Sequence, residues 1–176
     1  EEIKLKREEI HTEIKTLREN AKQKMQDLRA GIKEEKDANK AKIKEARIEI
    51  REKALVRFDA AVERISNLKD KINAQIVKLE AKGVDVTTAE TFVATAEVKL
   101  SDAKTKIVEA NALLAISIDK LSVENKTTLR TLAKEIQTLL TDAHKALKDS
   151  VQALKEAVKL KVETSTTTST TTEVSE

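Results

Sequence analysis

The chain has 176 residues, of which 37% are charged and 39% apolar, and it contains two Phe, two Gly and no Pro, Cys, Trp or Tyr. This composition is typical of long helices and coiled coils and gives strands almost no support. The lack of cysteine excludes disulfides and thiolate chemistry, and no apolar run approaches the roughly 20 residues of a bilayer-spanning helix. The near absence of aromatic side chains predicts a thin molecule with seams between helices.

The formal net charge of +3 hides an asymmetry along the chain. Residues 1–57 hold 17 Lys and Arg against 13 Asp and Glu, a net of +4, while the remainder holds 17 against 18, a net of −1. The first third is therefore both the most charged and the most basic part. The sequence begins at Glu1 without an initiator Met, which indicates either a removed leader peptide or a sequence trimmed at its N-terminus, and the removed leader is the favoured prediction.

The N-terminal region predicts one long amphipathic helix that runs from residue 2 to residue 82. Its apolar positions recur with an eleven-residue period, which indicates a nearly straight helix path. The members of this lattice are Ile10, Ala21, Ile32, Ile43, Ala54, Ile65 and Ile76.

The lattice weakens in the middle of this helix, where Lys36, Asn39 and Arg47 occupy sites that should be apolar. The alternative is a break near Gly31 or at residues 36–40, with the first 30 residues folded back onto residues 41–62. One helical Gly costs only about 1 kcal/mol relative to Ala, and no Pro accompanies it. The continuous helix is therefore the favoured prediction.

Residues 80–90, EAKGVDVTTAE, predict the end of one helix and the start of the next. Gly83 suits the left-handed C-cap position, and Thr87 with Glu90 has the spacing of a capping box. Val84 and Val86 are expected to close over the corner as apolar contacts. The segment is the corner of a helical hairpin.

Large apolar residues at intervals of seven mirror each other about this corner, and each mirrored pair of residue numbers sums to 172. An antiparallel hairpin would bring them level, with alanines between them allowing close approach of the backbones. The residues are Phe58, Ile65, Ile72 and Leu79 before the corner, and Val93, Leu100, Ile107 and Leu114 after it.

A third helix follows a softer interruption at residues 117–128, where Ser, Asp and Asn offer N-caps. Its apolar positions from Leu129 to Val162 recur in steps of three, four and four, so it should return along the hairpin. The predicted fold is all-α: a very long N-terminal helix that enters an antiparallel hairpin and a three-helix bundle, followed by a Ser/Thr-rich tail. Its parts are an overhanging charged helix at 1–57, a bundle at 58–163 with helices 58–82, 87–120 and 123–163, and the tail at 164–176.

The tail is low-complexity sequence, which predicts disorder or O-glycosylation. Ordering by pairing with a neighbouring chain is the alternative.

No set of residue types in the sequence supports a reaction class. His11 and His144 are predicted to be surface histidines, and there is no Gly-rich phosphate loop, Cys/His metal spacing or nucleophile elbow. We therefore expect no enzymatic activity, cofactor, metal or small-molecule substrate.

An overhanging amphipathic helix leaves its apolar stripe uncovered, so it requires an external partner. We predict that copies of the chain associate through this stripe into a homo-oligomer. Its residues are Ile10, Ile14, Leu17, Met25, Leu28, Ile32, Ile43 and Ile50.

Basic residues of the same helix fall in one sector about 80° wide when placed at 100° per residue. Three roles are open for this basic face: an ordinary solvated surface, pairing with the acidic side of the next copy, or binding of nucleic acid, anionic lipid or acidic glycan. Its residues are Arg18, Lys22, Arg29, Lys33, Lys36, Lys40, Lys44, Arg47 and Arg51.

Residues 57–100, RFDAAVERISNLKDKINAQIVKLEAKGVDVTTAETFVATAEVKL, resemble the core of uncharacterised helical-hairpin proteins exported by small-genome bacteria. The resemblance consists of the heptads and the Gly-x-Asp corner, and it implies an extracellular or cell-envelope location. The leading hypothesis is a structural protein of the cell surface or envelope that self-assembles through its N-terminal helix, with a filament as one form. The alternative is a non-enzymatic binding module for an anionic surface or polymer.

Overall fold

A computed structural model describes residues 15, 16, 19, 20, 22–115 and 121–169, with side chains as far as residue 164. Within these residues, helices are the only regular secondary structure, which confirms the all-α class. The helices are α1 over residues 22–32, α2 over Ala38–Glu80, α3 over Thr87–Leu114 and α4 over Val123–Ser169.

The prediction of one continuous N-terminal helix is wrong, because residues 33–37 are non-helical and separate α1 from α2. Asp37 is the N-cap of α2, since its Oδ1 accepts hydrogen bonds from the backbone N–H groups of Asn39 at 2.9 Å and Lys40 at 3.2 Å. The Asp37 carbonyl accepts the first helical bond, from the N–H of Ala41 at 2.9 Å. A capping aspartate stabilises a new helix start by about 1 kcal/mol. The prediction of a continuous helix did not include this contribution from Asp37.

The corner at residues 81–86 has the predicted left-handed glycine, with φ of 72° at Gly83. The N–H of Val84 donates to the carbonyl of Leu79 at 3.1 Å, and the N–H of Gly83 donates to the carbonyl of Glu80 at 2.7 Å. These two bonds form a Schellman motif, which satisfies the last carbonyl groups of α2. Val84 and Val86 are buried, as predicted.

The predicted capping box at the start of α3 is not what caps this helix. Asp85 provides the capping oxygen, because its Oδ1 accepts the N–H of Thr87 at 3.0 Å. Thr87 is the first residue of α3, and its carbonyl accepts the hydroxyl of Thr91 at 3.0 Å. The helix starts where it was predicted to start, but the cap lies two residues earlier.

The ends of α3 and α4 differ from the predicted bounds of 120 and 163. α3 ends at Leu114, and residues 116–120 lie outside the described residues. α4 begins at Val123, where the hydroxyl of Ser122 accepts the N–H of Asn125 at 3.1 Å, so one of the predicted N-caps is present.

α4 continues into the Ser/Thr-rich segment as far as Ser169. The hydroxyl of Thr164 donates to the carbonyl of Leu160 at 3.1 Å, which lets a threonine satisfy its polar group within the helix. The expectations for the rest of the tail, residues 170–176, lie outside the described residues.

The chain divides into two compact units. Unit 1 comprises Glu1–Val62 and Ser101–Leu139, and its described part contains α1, the first part of α2, the second part of α3 and the first part of α4. Adjacent elements are joined by polar contacts, such as the ion pair of Lys106 with Glu135 at 3.2 Å between α3 and α4. Ile107 and Ile136 of these helices are fully buried.

Unit 2 comprises Glu63–Leu100 and Leu140–Glu176 and contains segments of α2, α3 and α4. Lys69 of α2 pairs with Glu97 of α3 at 3.5 Å, and the buried hydroxyl of Ser150 in α4 donates to the carbonyl of Ala89 in α3 at 2.9 Å. Lys161 of α4 donates to the carbonyl of Lys82 at the corner. The heptad positions of this unit form part of its core, since Ile72, Val93, Ala96 and Leu100 are buried.

Candidate self-association surface

The N-terminal apolar stripe is largely covered by the chain itself, within unit 1. α1 packs on the first part of α2, where Met25, Ile32 and Ile48 form a buried cluster with Leu28 and Ala41 packed against it. The chain therefore supplies much of the cover that the continuous helix would have needed from another molecule.

Two ion pairs lie in this region: one joins α1 to α2, and the other joins the connector at residues 33–37 to α2. The Nη2 atom of Arg29 lies 2.9 Å from Oε2 of Glu52, and Nζ of Lys44 lies 2.8 Å from Oε2 of Glu35. The hydrogen bond from Lys44, with the N–H of Asp37 as a second donor, lowers the pKa of the Glu35 carboxyl. These exposed or half-exposed pairs orient α1 and the connector on α2 more than they stabilise the packing, because surface pairs contribute about 0–1 kcal/mol.

The eight predicted self-association residues therefore divide into three groups. Met25 and Ile32 are buried within the chain, so their assignment to an intermolecular surface is wrong, and Leu28 is partly buried against the same cluster. Ile43 and Ile50 are exposed, at 53% and 70%. The other three, Ile10, Ile14 and Leu17, lie outside the described residues or have side chains that are not described.

The exposed apolar face of α2 is defined by Ile43, Ala46 and Ile50, all of which are exposed. The two isoleucines are seven positions apart, so they lie close to one line along the helix. Ile48, only two residues from Ile50, is fully buried on the opposite side. The helix is thus apolar on both sides, and only one of these sides is covered within the chain.

The predicted basic face does not survive as one continuous sector, because the break at residues 33–37 separates its two halves. Arg29 and Lys44 are engaged in the ion pairs with Glu52 and Glu35. The Nζ atom of Lys40 lies 3.8 Å from Oδ2 of Asp37, the N-cap residue of α2. Of the remaining described members, Arg47 is half-buried, Arg51 is buried and the others are exposed. Arg18 is outside the described residues.

Arg51 is buried, with 7% of its surface exposed, and its Nη1 donates to the carbonyl of Leu114 at 2.9 Å. The guanidinium satisfies a carbonyl at the end of α3 and carries a charge suited to the negative end of a helix dipole. Burial, together with repulsion from Arg47, lowers its pKa from the ordinary arginine value. Arg51 is therefore a structural residue that joins α2 to α3, not a surface cation.

Sequence reasoning missed Asn111, a buried polar residue of α3 whose surface is 5% exposed. Its Oδ1 accepts no hydrogen bond from the part of the chain that the structure describes. A buried acceptor without a donor costs about 1–3 kcal/mol. The only signal in the sequence was an asparagine between apolar heptad positions, which is too weak to separate it from surface asparagines.

Unit 2 contains a second apolar surface, a groove of about 610 Å³ between α2 and α4. Its apolar lining includes Ile72 and Leu79 of α2 with Leu154 and Val158 of α4, and its charged lining residues are two lysines. The sequence pattern does not predict this groove, because its heptads place Ile72 and Leu79 in the seam between α2 and α3.

Comparisons with protein-family models, with curated proteins and with solved structures gave no match to this chain. None of the described helices contains a stretch long and apolar enough to cross a membrane. Among the described residues, no group of three or more His, Asp or Glu side chains could hold a metal ion. His144 is exposed, as expected, and His11 is outside the described residues.

Proposed function

We propose that this protein is a structural, non-enzymatic component that self-associates through the exposed apolar face of α2. The observation that carries the proposal is the exposure of Ile43 and Ile50 on one side of a helix whose other side, at Ile48, is already fully buried. An apolar stripe beside charged residues is a common form of protein interaction surface. The proposed location is the cell surface or envelope, which rests on the resemblance of residues 57–100 alone.

Two copies would pair most simply in an antiparallel arrangement about a two-fold axis. Ile43 of each copy would lie opposite Ile50 of the other, with the small side chain of Ala46 allowing close approach. Such a contact uses the same face twice, so it needs no second complementary surface.

The size of the apolar face determines how strong this association can be. Burying four half-exposed isoleucines contributes about 4–8 kcal/mol in total. Association costs about 4–15 kcal/mol in lost translational and rotational freedom. The face alone therefore gives reversible pairing at high concentration, and a lasting assembly requires a second contact such as the apolar groove of unit 2.

Sedimentation equilibrium over a range of concentrations tests the proposal. The wild-type chain should show an average mass that rises with concentration, and the double variant Ile43→Gln, Ile50→Gln should remain a monomer. The matched control is Val98→Gln with Val162→Gln, because these valines are similarly exposed on α3 and α4. A monomeric wild type at millimolar concentration, or equal association of both double variants, contradicts the proposal.

Binding to an anionic partner is the second candidate function. It is favoured by Lys33, Lys36 and Lys40, which are exposed just before and at the start of α2. The predicted continuous basic face no longer supports it, since part of that face is engaged within the chain. Replacement of these three lysines by Gln should weaken binding to an anionic surface at low salt.

A further inference from the structure

The apolar groove of unit 2, between α2 and α4, is a surface that the described part of the chain leaves open. On α4 it is lined by Val151, Leu154 and Val158, which have the i, i+3, i+7 spacing of a helix-packing seam. On α2 it is lined by Ile72 and Leu79, seven positions apart. Val151, Val158 and Leu79 are only half-buried. The groove follows each helix for about two turns, or roughly 12 Å at a rise of 1.5 Å per residue.

Lysines lie along both edges of this groove. Lys71 of α2 and Lys155 of α4 line it and are exposed, and neither forms an ion pair within the part of the chain that the structure describes. Lys78 and Lys148, also exposed, are seven positions from them and therefore on the same helix faces, about 20° round the axis. Each edge thus has two lysines about 10 Å apart along its helix.

Carboxylates of the same stretches lie on other faces of the helices. On α4, Asp149 and Glu156 directly follow Lys148 and Lys155, so each is about 100° round the axis from its neighbour. On α2, Asp70 lies 3.6 Å from the Nζ atom of Lys69. The groove is therefore apolar along its middle and positive at both edges, which suits an acidic occupant because opposite charges at the rim of an interface favour association.

The arrangement of the lysines favours a helix over a fatty acid. A fatty acid has one carboxylate, which one lysine would satisfy, whereas four lysines are spaced by heptads along two edges. A helix with apolar residues at heptad positions a and d and Glu at e and g has carboxylates at this spacing on both sides of its apolar stripe. The exposed apolar face of α2 in a second copy is less suitable, because Lys42 and Arg47 flank it.

We infer that this groove binds an acidic amphipathic helix of another protein. The apolar stripe of that helix packs between α2 and α4, and its carboxylates pair with the lysines of both edges. All residues of the groove belong to unit 2, whereas Ile43 and Ile50 belong to unit 1. The inference therefore does not rest on the proposed self-association.

Three synthetic peptides of three heptads each test this inference, since helices shorter than about 12–15 residues are marginal in water. All have Leu at a and d, and they differ only at e and g, which are Glu, Lys or Gln. Fluorescence anisotropy measures the binding of each labelled peptide, kept at nanomolar concentration so that it stays monomeric, to the full chain. We expect the Glu peptide to bind at least about tenfold more tightly than the Lys peptide, with the Gln peptide between them. Equal affinities of the three peptides would overturn the inference.

The double variant Lys71→Glu, Lys155→Glu reverses the charge at both edges of the groove. We expect the preference to shift towards the Lys peptide by at least about tenfold. The matched control is Lys24→Glu with Lys134→Glu, which reverses two exposed lysines of unit 1 and should keep the wild-type preference. All four positions are exposed, so both variants should fold, which circular dichroism checks. A folded groove variant that still prefers the Glu peptide would contradict the inference.

Two further measurements distinguish the other occupants. Decanoate, a fatty acid, should displace the Glu peptide only at concentrations far above those of the unlabelled peptide; displacement at equal or lower concentration would assign the groove to an acyl chain instead. The variant Ile43→Gln, Ile50→Gln should bind the Glu peptide as the wild type does. Loss of binding in that variant would place the peptide on the exposed apolar face of α2 and overturn the inference, while leaving the proposed self-association untouched.

Discussion

Asp85 shows how one side chain can set the start of a helix. Hydrogen bonds from the hydroxyl and then from the backbone N–H of Thr87 lower the pKa of the Asp85 carboxyl below its ordinary value. These donors favour the ionised form, and the carboxylate also lies near the positive end of the α3 dipole. The stability contributed by Asp85 therefore depends on its charge.

The lowered pKa predicts the pH dependence of the variant Asp85→Ala. Because the folded pKa lies below the unfolded value of about 3.9, the contribution is fully present at higher pH and is lost as pH falls through the folded pKa. We expect Asp85→Ala to have a lower Tm than wild type at pH 7 and a similar Tm near pH 2, measured by circular dichroism.

The matched control is Asp102→Ala, which removes an exposed carboxylate from within α3. Its Tm difference from wild type should change little over the same pH range. A difference for Asp85→Ala that stays constant from neutral to acidic pH would show that its carboxylate is not the cap.

Local signals of this corner were largely predictable from sequence, because they depend on neighbouring residues only. Gly83 was identified as the left-handed position, since few other residues adopt a positive φ without strain. The capping box predicted Thr87 as the cap, whereas the structure uses Asp85, and both residues have suitable oxygens. Their roles depend on the backbone path between residues 83 and 87, which the sequence pattern does not fix.

At the scale of elements, the burial of two isoleucines shows which side of α2 faces α1. Ile48 is fully buried in the cluster with α1, whereas Ile50 is 70% exposed. We expect Ile48→Ala to reduce the free energy of unfolding by about 2–5 kcal/mol through lost burial and a cavity. Ile50→Ala should change it by no more than about 0.5 kcal/mol.

Urea denaturation measures both changes. The two substitutions serve as controls for each other, because they delete the same atoms and change helix propensity equally at neighbouring positions of one helix. Similar losses for both variants would mean that Ile48 and Ile50 are equally buried. A larger loss for Ile50→Ala would mean that Ile50, and not Ile48, faces the core.

That lattice failed at the break between α1 and α2. An eleven-residue period holds only while the helix continues, and the five non-helical residues 33–37 reset its phase. Ile43 was therefore assigned to the same seam as Ile32, although one is exposed and the other buried. In α4, which has no such break, the predicted apolar positions Leu132, Ile136 and Leu140 are buried, although Val162 at the end of the pattern is exposed.

At the scale of the whole chain, the sequence could not predict which apolar surfaces remain exposed. Exposure depends on which segments pack against one another. Whether residues 33–37 are helical determines whether the residues before them pack on α2. The need for a partner was inferred from an overhanging helix. The proposal of self-association now rests on a smaller surface, Ile43 and Ile50, so its test must distinguish apolar association from charge-driven association.

Ionic strength makes this distinction for the intact chain. Raising salt from about 0.1 M to about 1 M shortens the Debye length from about 10 Å to about 3 Å, which weakens contacts between exposed charges. The proposed pairing through Ile43 and Ile50 is apolar, so we expect the average mass in sedimentation equilibrium to stay constant or rise with salt. Binding of the lysines around α2 to an anionic partner should instead weaken steeply.

High salt also weakens the pairs Arg29–Glu52 and Lys44–Glu35, and release of α1 would uncover Ile48 and create a new apolar surface. The double variant Ile43→Gln, Ile50→Gln separates the two causes. If the apolar face of α2 drives association, this variant stays monomeric at both salt concentrations. If release of α1 drives it, the variant associates at high salt as the wild type does, and the proposed surface is wrong.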